Sequence, residues 1–388
     1  MRSAYVENWI HNLGVIKDAK SFLKADWISK DQYEKIGETY ASPLYHPNFL
    51  IRILLFVATL LGISGVTGLF ALFVAQGDEV FISIACMAYG IASFFVVDKL
   101  FIKDKKHYKS GVNEAIIYHS CGFTIGGFAG LTDFSTTPFL LFSLVVLTFA
   151  AIRYLDLICT ITSFGFLGFT LFYHFYEWGG ILQQIIPFAF IICFSIAYFL
   201  SRKYRKRTEL NLWNDNLLIV EALSLAVVYL AGNYLVVREL SVNLMGLALE
   251  GNEDIPFAFI FYLLTIAIPI LYLWFGVKNK DLVLLRVSLI VLAFSVFTFK
   301  YYYGFNRPEI TLTIAGMALL GISLSLFNYL KVMRSGYTRE KLLSEKWSSM
   351  NAEAFIISQT LGGNQVKVSE HFEGQGGEFG GGGSSGSF

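Results

Sequence analysis

The feature that most constrains this chain is a series of apolar segments that extends from about Asn48 to Lys331. Each segment is close to the roughly 20 residues that an α-helix needs to cross the hydrocarbon core of a bilayer. The chain of 388 residues is 55% hydrophobic and only 15% charged, which is too apolar for an ordinary soluble domain. The sequence therefore predicts an all-α, polytopic helical membrane protein with about ten transmembrane helices. The predicted spans are residues 49–75, 79–101, 112–132, 137–154, 156–176, 181–201, 214–237, 255–277, 281–303 and 309–331.

The short connections between these segments alternate in charge. Lysine and arginine cluster in every second connection, whereas the turns between them carry few basic residues. Because cytoplasmic loops hold the excess of lysine and arginine, this alternation predicts that both termini lie in the cytoplasm. We expect the densest cluster to contact anionic headgroups of the lipid bilayer and to act as the main topology anchor. Its basic residues are Arg202, Lys203, Arg205, Lys206 and Arg207.

Polar regions flank the transmembrane domain, which is predicted to cover residues 48–331. Residues 1–47 have the spacing of short cytosolic helices, and Ser29 followed by Gln32 fits a capping box that starts a helix reaching about Tyr40. Residues 332–361 have the period and basic face of an amphipathic helix on the cytosolic side. Residues 362–388 are rich in glycine and serine, which predicts a flexible tail.

Few ionisable side chains lie within the predicted spans. Each is a candidate for function, because a charge in hydrocarbon costs several kcal/mol unless it is paired or reaches water. The candidates are Glu114, His119, Glu221 and Arg286. With a rise of about 1.5 Å per residue, Glu221 and Arg286 are predicted to lie at similar depth, where they could form an ion pair. The pair could be structural or a coupling charge for transport, and Arg286 could instead extend to the headgroups.

The predicted third span carries a stripe of small residues. Gly122, Gly126 and Gly130 recur every four residues, and His119 stands three residues before the first of them. Such a face predicts close packing of a second helix. His119 is then either a hydrogen-bonded histidine in a helix interface or, together with Glu114, a proton-handling site.

No pattern in the sequence predicts a catalytic site, a metal site or a cofactor. The cysteines occupy four different spans, which predicts neither a disulfide nor a zinc site. His119 and His174 are predicted to lie roughly 20 Å apart along the membrane normal, which argues against a bis-histidine haem site. Motifs of embedded proteases, hydrolases and ATPases do not occur, and the net charge of +1 gives no case for nucleic acid. The cysteines are Cys86, Cys121, Cys159 and Cys193.

The segment from Ala25 to Ile36, Ala-Asp-Trp-Ile-Ser-Lys-Asp-Gln-Tyr-Glu-Lys-Ile, is followed by Tyr40 and then by the series of spans. In this arrangement the chain resembles a group of uncharacterised bacterial multi-pass membrane proteins, which carry a short cytosolic helical segment of the Ile-Ser-x-x-Gln kind. The resemblance covers about residues 15–75. It implies residence in the bacterial inner membrane and supplies no catalytic residues.

These observations predict a non-enzymatic sensor, scaffold or assembly partner in the membrane. Its protein partner would bind the N-terminal unit or the C-terminal tail. The alternative is a secondary transporter or channel that uses the four intramembrane candidates. One pattern supports this alternative: Gly62, Gly65 and Gly68 interrupt the first span and Pro187 the sixth, as in inverted repeats with broken helices.

Overall fold

The computed structural model describes residues 3–24, 26–246 and 253–303, together with scattered residues between Gly316 and Lys331. Within these residues the chain is helical and contains no β-strand, only one isolated bridge between Tyr45 and His107. The predicted all-α fold is confirmed. The helices are α1 (Glu7–Lys24), α2 (Lys30–Thr39), α3 (Phe49–Val74), α4 (Glu79–Val96), α5 (Val112–Leu131), α6 (Thr136–Tyr154), α7 (Leu157–Trp178), α8 (Ile181–Gln184), α9 (Ile186–Arg205), α10 (Asn214–Gly232), α11 (Tyr234–Asn243), α12 (Ala258–Lys278) and α13 (Leu282–Tyr303).

Eight helices in the described part are long and apolar enough to cross a membrane, so the chain is a multi-pass membrane protein. They are α3, α4 with the π-helical turn Val97–Asp104 that continues it, α6, α7, α9, α10 with the preceding 3-10 turn Thr208–Trp213, α12 and α13. The predicted third span forms α5, which has membrane length but is not one of these eight. The predicted tenth span, 309–331, and the predicted C-terminal regions, 332–361 and 362–388, lie outside the residues that can be described.

Helix α5 lies at the centre of the N-terminal half of the molecule, which comprises α1 to α7; α8 to α13 form the C-terminal half. It packs against α3, α4 and α6, and it has eleven buried residues, whereas the more apolar α3 has only Val74 buried. Asn113, Glu114 and His119 lower its hydropathy. Because polar groups in the bilayer core need protein partners, α5 is enclosed by its neighbours.

Two predicted spans are broken in the structure. The span 214–237 ends at Gly232, and Asn233 caps a separate helix, α11. Asn233 is fully buried, and its Nδ2 donates hydrogen bonds of 2.9 Å to the hydroxyls of Tyr229 and Thr298. These bonds hold the break in place. The sixth span is divided into α8 and α9, with Pro187 in the first turn of α9, where it needs no N–H partner.

Helix α3 is continuous from Phe49 to Val74, so the glycines Gly62, Gly65 and Gly68 do not interrupt it. The expected broken first helix of an inverted repeat is therefore absent from the structure. A glycine tolerates a helical backbone, and in the bilayer an unbroken helix satisfies every backbone group internally.

The N-terminal unit consists of α1 and α2. The capping box predicted for α2 is confirmed: the backbone N–H of Gln32 donates to the Ser29 hydroxyl, and the Ser29 N–H donates to the Gln32 side chain at 2.8 Å. The two reciprocal bonds satisfy N–H groups that have no partner within the helix. They explain why α2 starts at Lys30.

The hydrophobic core has a large cluster in the N-terminal half and smaller clusters in the C-terminal half. Ile117 and Ala150 are fully buried in the large N-terminal cluster. Tyr229 and Ile268 belong to one of the smaller C-terminal clusters. Phe164 of α7 packs with Phe194 of α9 and with Val228 of α10, which joins the halves. The basic cluster of residues 202–207 thus begins in the last turn of α9, a helix that packs across both halves.

Candidate functional site

Ion pairs collect at one end of the helical bundle, the end at which α3 and α5 begin and α6 and α9 finish. We call it the basic end. Each pair joins residues from different helices or connections, so lysines and arginines that are scattered along the sequence meet acids at the same level of the bundle. In the described part of the chain the pairs are Arg52–Glu114, Lys109–Asp215, Arg153–Asp98, Arg202–Asp281 and Arg205–Glu221.

Glu114 lies in the first turn of α5 and makes two contacts. Its Oε1 lies 2.6 Å from Nη2 of Arg52 on α3, and its Oε2 accepts a hydrogen bond of 2.8 Å from the backbone N–H of Gly111. A carboxylate at this position also satisfies a helix N-terminus. Gly111 has a φ of 92° and packs against the Arg52 carbonyl, so only glycine fits there without strain. Both oxygens of Glu114 are thus engaged in structural contacts.

The segment before α1 docks on the basic end through buried hydrogen bonds. The Tyr5 hydroxyl accepts a hydrogen bond of 2.8 Å from Nδ2 of Asn113, and the N–H of Ala4 donates to the Arg153 carbonyl at 2.9 Å. Burial, followed by the charge of Glu114, raises the pKa of Tyr5 well above its usual value. The hydroxyl therefore stays neutral, and the segment is fixed to both α5 and α6.

The segment after α2 docks on the connection between α4 and α5. The Tyr45 N–H donates to the Lys106 carbonyl at 2.8 Å, and the Tyr108 N–H donates to the Tyr45 carbonyl at 3.0 Å. Nδ1 of His107 lies 2.9 Å from the hydroxyl of Ser110. Burial, assisted by the positive charge of the neighbouring Lys105, lowers the pKa of His107. The α1–α2 unit is therefore held at both of its ends.

Asp156 connects the two halves at the same level. One of its carboxylate oxygens caps α7 by accepting the Cys159 N–H at 2.7 Å, and the other accepts the Tyr118 hydroxyl at 2.9 Å. Its backbone carbonyl accepts a hydrogen bond of 3.2 Å from Nδ2 of Asn216 on α10. Nε1 of Trp213 donates to a carbonyl of α6 at 2.8 Å. The N-terminal and C-terminal halves are thus joined by buried polar contacts as well as by apolar packing.

Glu221 has a different ion-pair partner from the one predicted. Its Oε2 lies 2.8 Å from Nη1 of Arg205, the last residue of α9, and its side chain is fully buried. The angles of this contact are not those of a hydrogen bond, so neither carboxylate oxygen has a hydrogen-bond partner. The sequence estimate placed Arg286 at the same depth but could not show its direction. Arg286 is exposed on α13, whereas Glu221 is fully buried.

Arg202 and Asp281 form a neighbouring pair, 3.0 Å apart, between the end of α9 and the start of α13. Arg202 also donates to the hydroxyl of Tyr198. Asp281 accepts the N–H of Val283 at 3.0 Å and so caps α13. Part of the predicted topology anchor is therefore used inside the protein: Arg202 and Arg205 bind acids, whereas Lys203, Lys206 and Arg207 are exposed and form no ion pair in the described structure.

His119 lies on a different face of α5 from Glu114, because five residues correspond to about 500° of helical rotation. Its Nε2 lies 3.4 Å from the Thr67 hydroxyl, and its ring makes an edge contact with Tyr89. It lines a cavity of about 310 Å³ with Cys86, Gly122, Phe123, Gly126 and Gly127. The structure thus supports the interpretation of His119 as a half-buried histidine between α3, α4 and α5.

The predicted packing stripe on α5 is wrong at two of its three positions. Gly122 and Gly126 have open space where a Cβ would lie, and only Gly130, which packs against Ser83, is close to another helix. The close approach is made instead by Gly127, where a Cβ would lie 2.5 Å from the Met87 backbone nitrogen. The spacing of the glycines correctly indicated that α5 packs closely against another helix. It did not indicate the face, because that depends on the position of α4.

The four intramembrane candidates do not meet. Glu114 binds Arg52, His119 contacts α3 and α4, Glu221 binds Arg205, and Arg286 lies on an exposed face. A shared solvated path, which transport through all four would require, is therefore not formed by the described residues.

The predicted site residues did not include Arg52, Asp98, Arg153 or Asp156. Each lies within about two turns of the end of a predicted span. Acidic residues among the basic ones at that level are the signal that could have identified them, because an acid near a hydrocarbon boundary needs a partner.

Within the described residues no cluster of three or more histidine, cysteine, aspartate or glutamate side chains could hold a metal ion. The four cysteines are free thiols. No protein-family model, no curated protein and no solved structure matches the chain.

Proposed function

We propose that the chain is a non-enzymatic scaffold or assembly partner of the bacterial inner membrane, in which both termini are cytoplasmic. In this function the membrane domain holds the α1–α2 unit at the basic end and presents it to a cytosolic protein. A sensor would use the same contacts, with partner binding controlled by a signal. The observation that supports this proposal is that the α1–α2 unit is hydrogen-bonded to the membrane domain at both ends and exposes an aromatic pair at its outer end.

The unit is attached at its base by hydrogen bonds at both of its ends. The unit is anchored before α1 by Tyr5 and Ala4 and after α2 by the backbone bonds of Tyr45. The outer part of the unit is much less buried: α2 has no buried residue. A helical hairpin fixed at both ends and open along its outer side is suited to present a binding surface of constant orientation.

An aromatic pair lies at the tip of this hairpin. The rings of Phe22 and Trp27 are stacked, with centroids 5.8 Å apart, and the two residues are 39% and 66% exposed. Aromatic side chains, tryptophan above all, dominate the binding energy of protein interfaces. An exposed stacked pair on an otherwise polar unit therefore supports a protein partner at this tip.

Site-specific photo-cross-linking tests the proposal. A photoreactive amino acid replaces the exposed Lys24 beside the tip, and the intact protein is cross-linked in cells. We expect a discrete cross-linked product that Trp27→Ala removes. Trp178→Ala is the matched control, because Trp178 is 64% exposed at the opposite end of the bundle. The same product with Trp27→Ala would count against a partner at the tip.

The C-terminal tail offers a second route to a partner. Affinity purification of the intact chain is compared with that of a chain cut after Leu361, which removes the glycine-rich residues 362–388. Partners lost on truncation would assign the assembly role to the tail, and an unchanged set would leave the N-terminal tip as the binding region.

The proposed orientation is tested by cysteine labelling in a variant without the four native cysteines. Single cysteines replace Lys203, at the basic end, and Ser135, in the turn between α5 and α6 at the opposite end. In intact cells an impermeant maleimide should label position 135 and leave position 203 unlabelled. The reverse pattern would place the termini outside the cytoplasm.

One observation favours the alternative, a secondary transporter or channel for a small solute or ion. Glu221 is fully buried without a hydrogen bond to either carboxylate oxygen, as expected of a group that exchanges protons or cations. Purified protein in liposomes would then show a pH-dependent flux that Glu221→Gln abolishes. His119→Ala is the control on the other half of the molecule.

A further inference from the structure

A crevice of about 690 Å³ lies between the two halves of the membrane domain near the basic end. Helices α7 and α10 pack against each other within it, and α6 and α9 flank them. The 3-10 turn Thr208–Trp213 also lines the crevice, through Leu210 and Trp213. Its volume is within the range of roughly 300–1,000 Å³ that is typical of ligand sites.

The polar groups in the crevice are already satisfied by one another. The hydroxyls of Thr148 and Ser163 lie 2.7 Å apart, and Nδ2 of Asn216 donates to the Thr160 hydroxyl at 2.6 Å. The wall is otherwise apolar, with Leu144, Phe164 and Val220 among its residues. A polar solute would find few free partners here, whereas a hydrocarbon chain would bury apolar surface without leaving a polar group unpaired.

Positive charge lies beside the crevice at Tyr204, one of its lining residues. The guanidinium of Arg207 lies 5.3 Å from the centre of the Tyr204 ring. Lys206 and Arg207 are exposed and form no ion pair in the described structure, and Glu209 is the one acid in the turn that follows. An aromatic ring beside free cations at the boundary of the hydrocarbon layer suits an anionic lipid headgroup.

We infer that this crevice is a binding site for one anionic phospholipid of the surrounding bilayer. The acyl chain occupies the apolar space between α6 and α9, and the phosphate lies against Lys206 and Arg207. The inference is independent of the scaffold function, since a lipid at this position requires no protein partner.

A second crevice supplies an internal comparison. It measures about 630 Å³ on the other side of α6, and its charged residues, Asp98 and Arg153, are paired with each other. Neither crevice has an unpaired cation among the described residues of its lining. Tyr204 brings Arg207 next to the first crevice, whereas the arginine that lines the second is paired with Asp98. The difference between the two crevices predicts that headgroup charge matters only at the first.

Native mass spectrometry of the full chain tests the inference, with phosphatidylglycerol and phosphatidylethanolamine of the same chain length as probes. We expect retained phosphatidylglycerol, and a roughly ten- to thirtyfold lower affinity in the double variant Lys206→Gln/Arg207→Gln. The matched control is Lys103→Gln/Lys105→Gln, two exposed lysines of the α4–α5 connection. An equal loss in the control, or equal retention of both lipids by the wild type, would overturn the inference.

A second variant tests the acyl-chain part of the site. Val220→Trp fills the crevice and should abolish retention of phosphatidylglycerol while Lys206 and Arg207 stay in place. Ala197→Leu, a smaller change in the same wall, gives the answer if the tryptophan variant does not fold. Undiminished retention in a folded, filled variant would show that the lipid binds elsewhere.

Discussion

Nη1 of Arg205 lies 2.8 Å from Oε2 of Glu221, and the two side chains differ in burial: that of Glu221 is fully buried, whereas that of Arg205 is 25% exposed. The carboxylate therefore depends on the guanidinium more than the reverse. Burying an unpaired carboxylate in a low-dielectric site costs free energy, and water cannot reach Glu221 to take the place of Arg205.

Arg205→Met should lower the stability of the protein by up to about 3–5 kcal/mol, because it leaves the Glu221 charge buried and uncompensated. The double variant Arg205→Met/Glu221→Met should recover most of this loss, since an apolar pair of similar volume removes the buried charge. Unfolding in mixed detergent micelles gives the free energy of unfolding of each variant. Arg286→Met is made in the wild type and in Glu221→Met: a loss of stability that depends on Glu221 would restore the predicted Glu221–Arg286 pair.

This pair shows how far the sequence can lead. Hydropathy and length predicted the helical membrane fold, since the requirement that each span satisfy its own backbone is local. Pairing of side chains depends on the rotation of each helix, and depth along the membrane normal says nothing about it. Glu221 and Arg286 were estimated at similar depth, yet they face different surroundings.

The break at Asn233 could not be predicted for a related reason. An apolar pattern continues through the break, and the residues that stabilise it come from distant helices, such as Thr298 on α13. A capping box is different, because Ser29 and Gln32 lie three residues apart and contain the whole signal. Local signals were therefore reliable and long-range ones were not.

Gly127→Ala should destabilise the protein by about 1–3 kcal/mol, because the new Cβ would overlap backbone atoms of α4 that cannot move aside. Gly90→Ala should act similarly, since its Cβ would lie 2.5 Å from the backbone nitrogen of Thr124. Gly122→Ala and Gly126→Ala are the matched controls. Both glycines lie on α5, as Gly127 does, and have open space at the Cβ position. Thermal unfolding in detergent ranks the four variants, and equal losses for all would contradict the assigned packing face.

Gly111→Ala should destabilise the start of α5 more than Glu114→Gln does. The alanine must adopt a φ of 92° and would collide with the Arg52 carbonyl, at a cost of about 1–3 kcal/mol. The glutamine keeps the size of the side chain and loses an ion pair whose arginine is 39% exposed, which is worth about 0–1 kcal/mol. Chemical unfolding of both variants compares the two costs. A larger loss for Glu114→Gln would show that charge, and not backbone geometry, holds this corner.

Acidification should loosen the N-terminal unit through His107. Burial lowers the pKa of His107 in the docked structure. The docked state therefore binds fewer protons than the released state, in which the pKa of the histidine is about 6.5. The contribution to docking is therefore complete above about pH 6.5 and is lost as the pH falls through the lowered pKa.

Hydrogen exchange at the Tyr45 and Tyr108 amides, which bond across this interface, measures the loosening after correction for the intrinsic pH dependence of exchange. Between about pH 7.5 and 5.5 protection should fall in the wild type, because protonation of His107 favours release. His107→Gln should show a smaller change, since glutamine does not titrate, and the change that remains is expected from His46, whose pKa is also lowered by burial. His11→Gln, which replaces an exposed histidine of α1, should behave as the wild type does. The same loss of protection in His107→Gln as in the wild type would assign the effect to His46 or another group and not to His107.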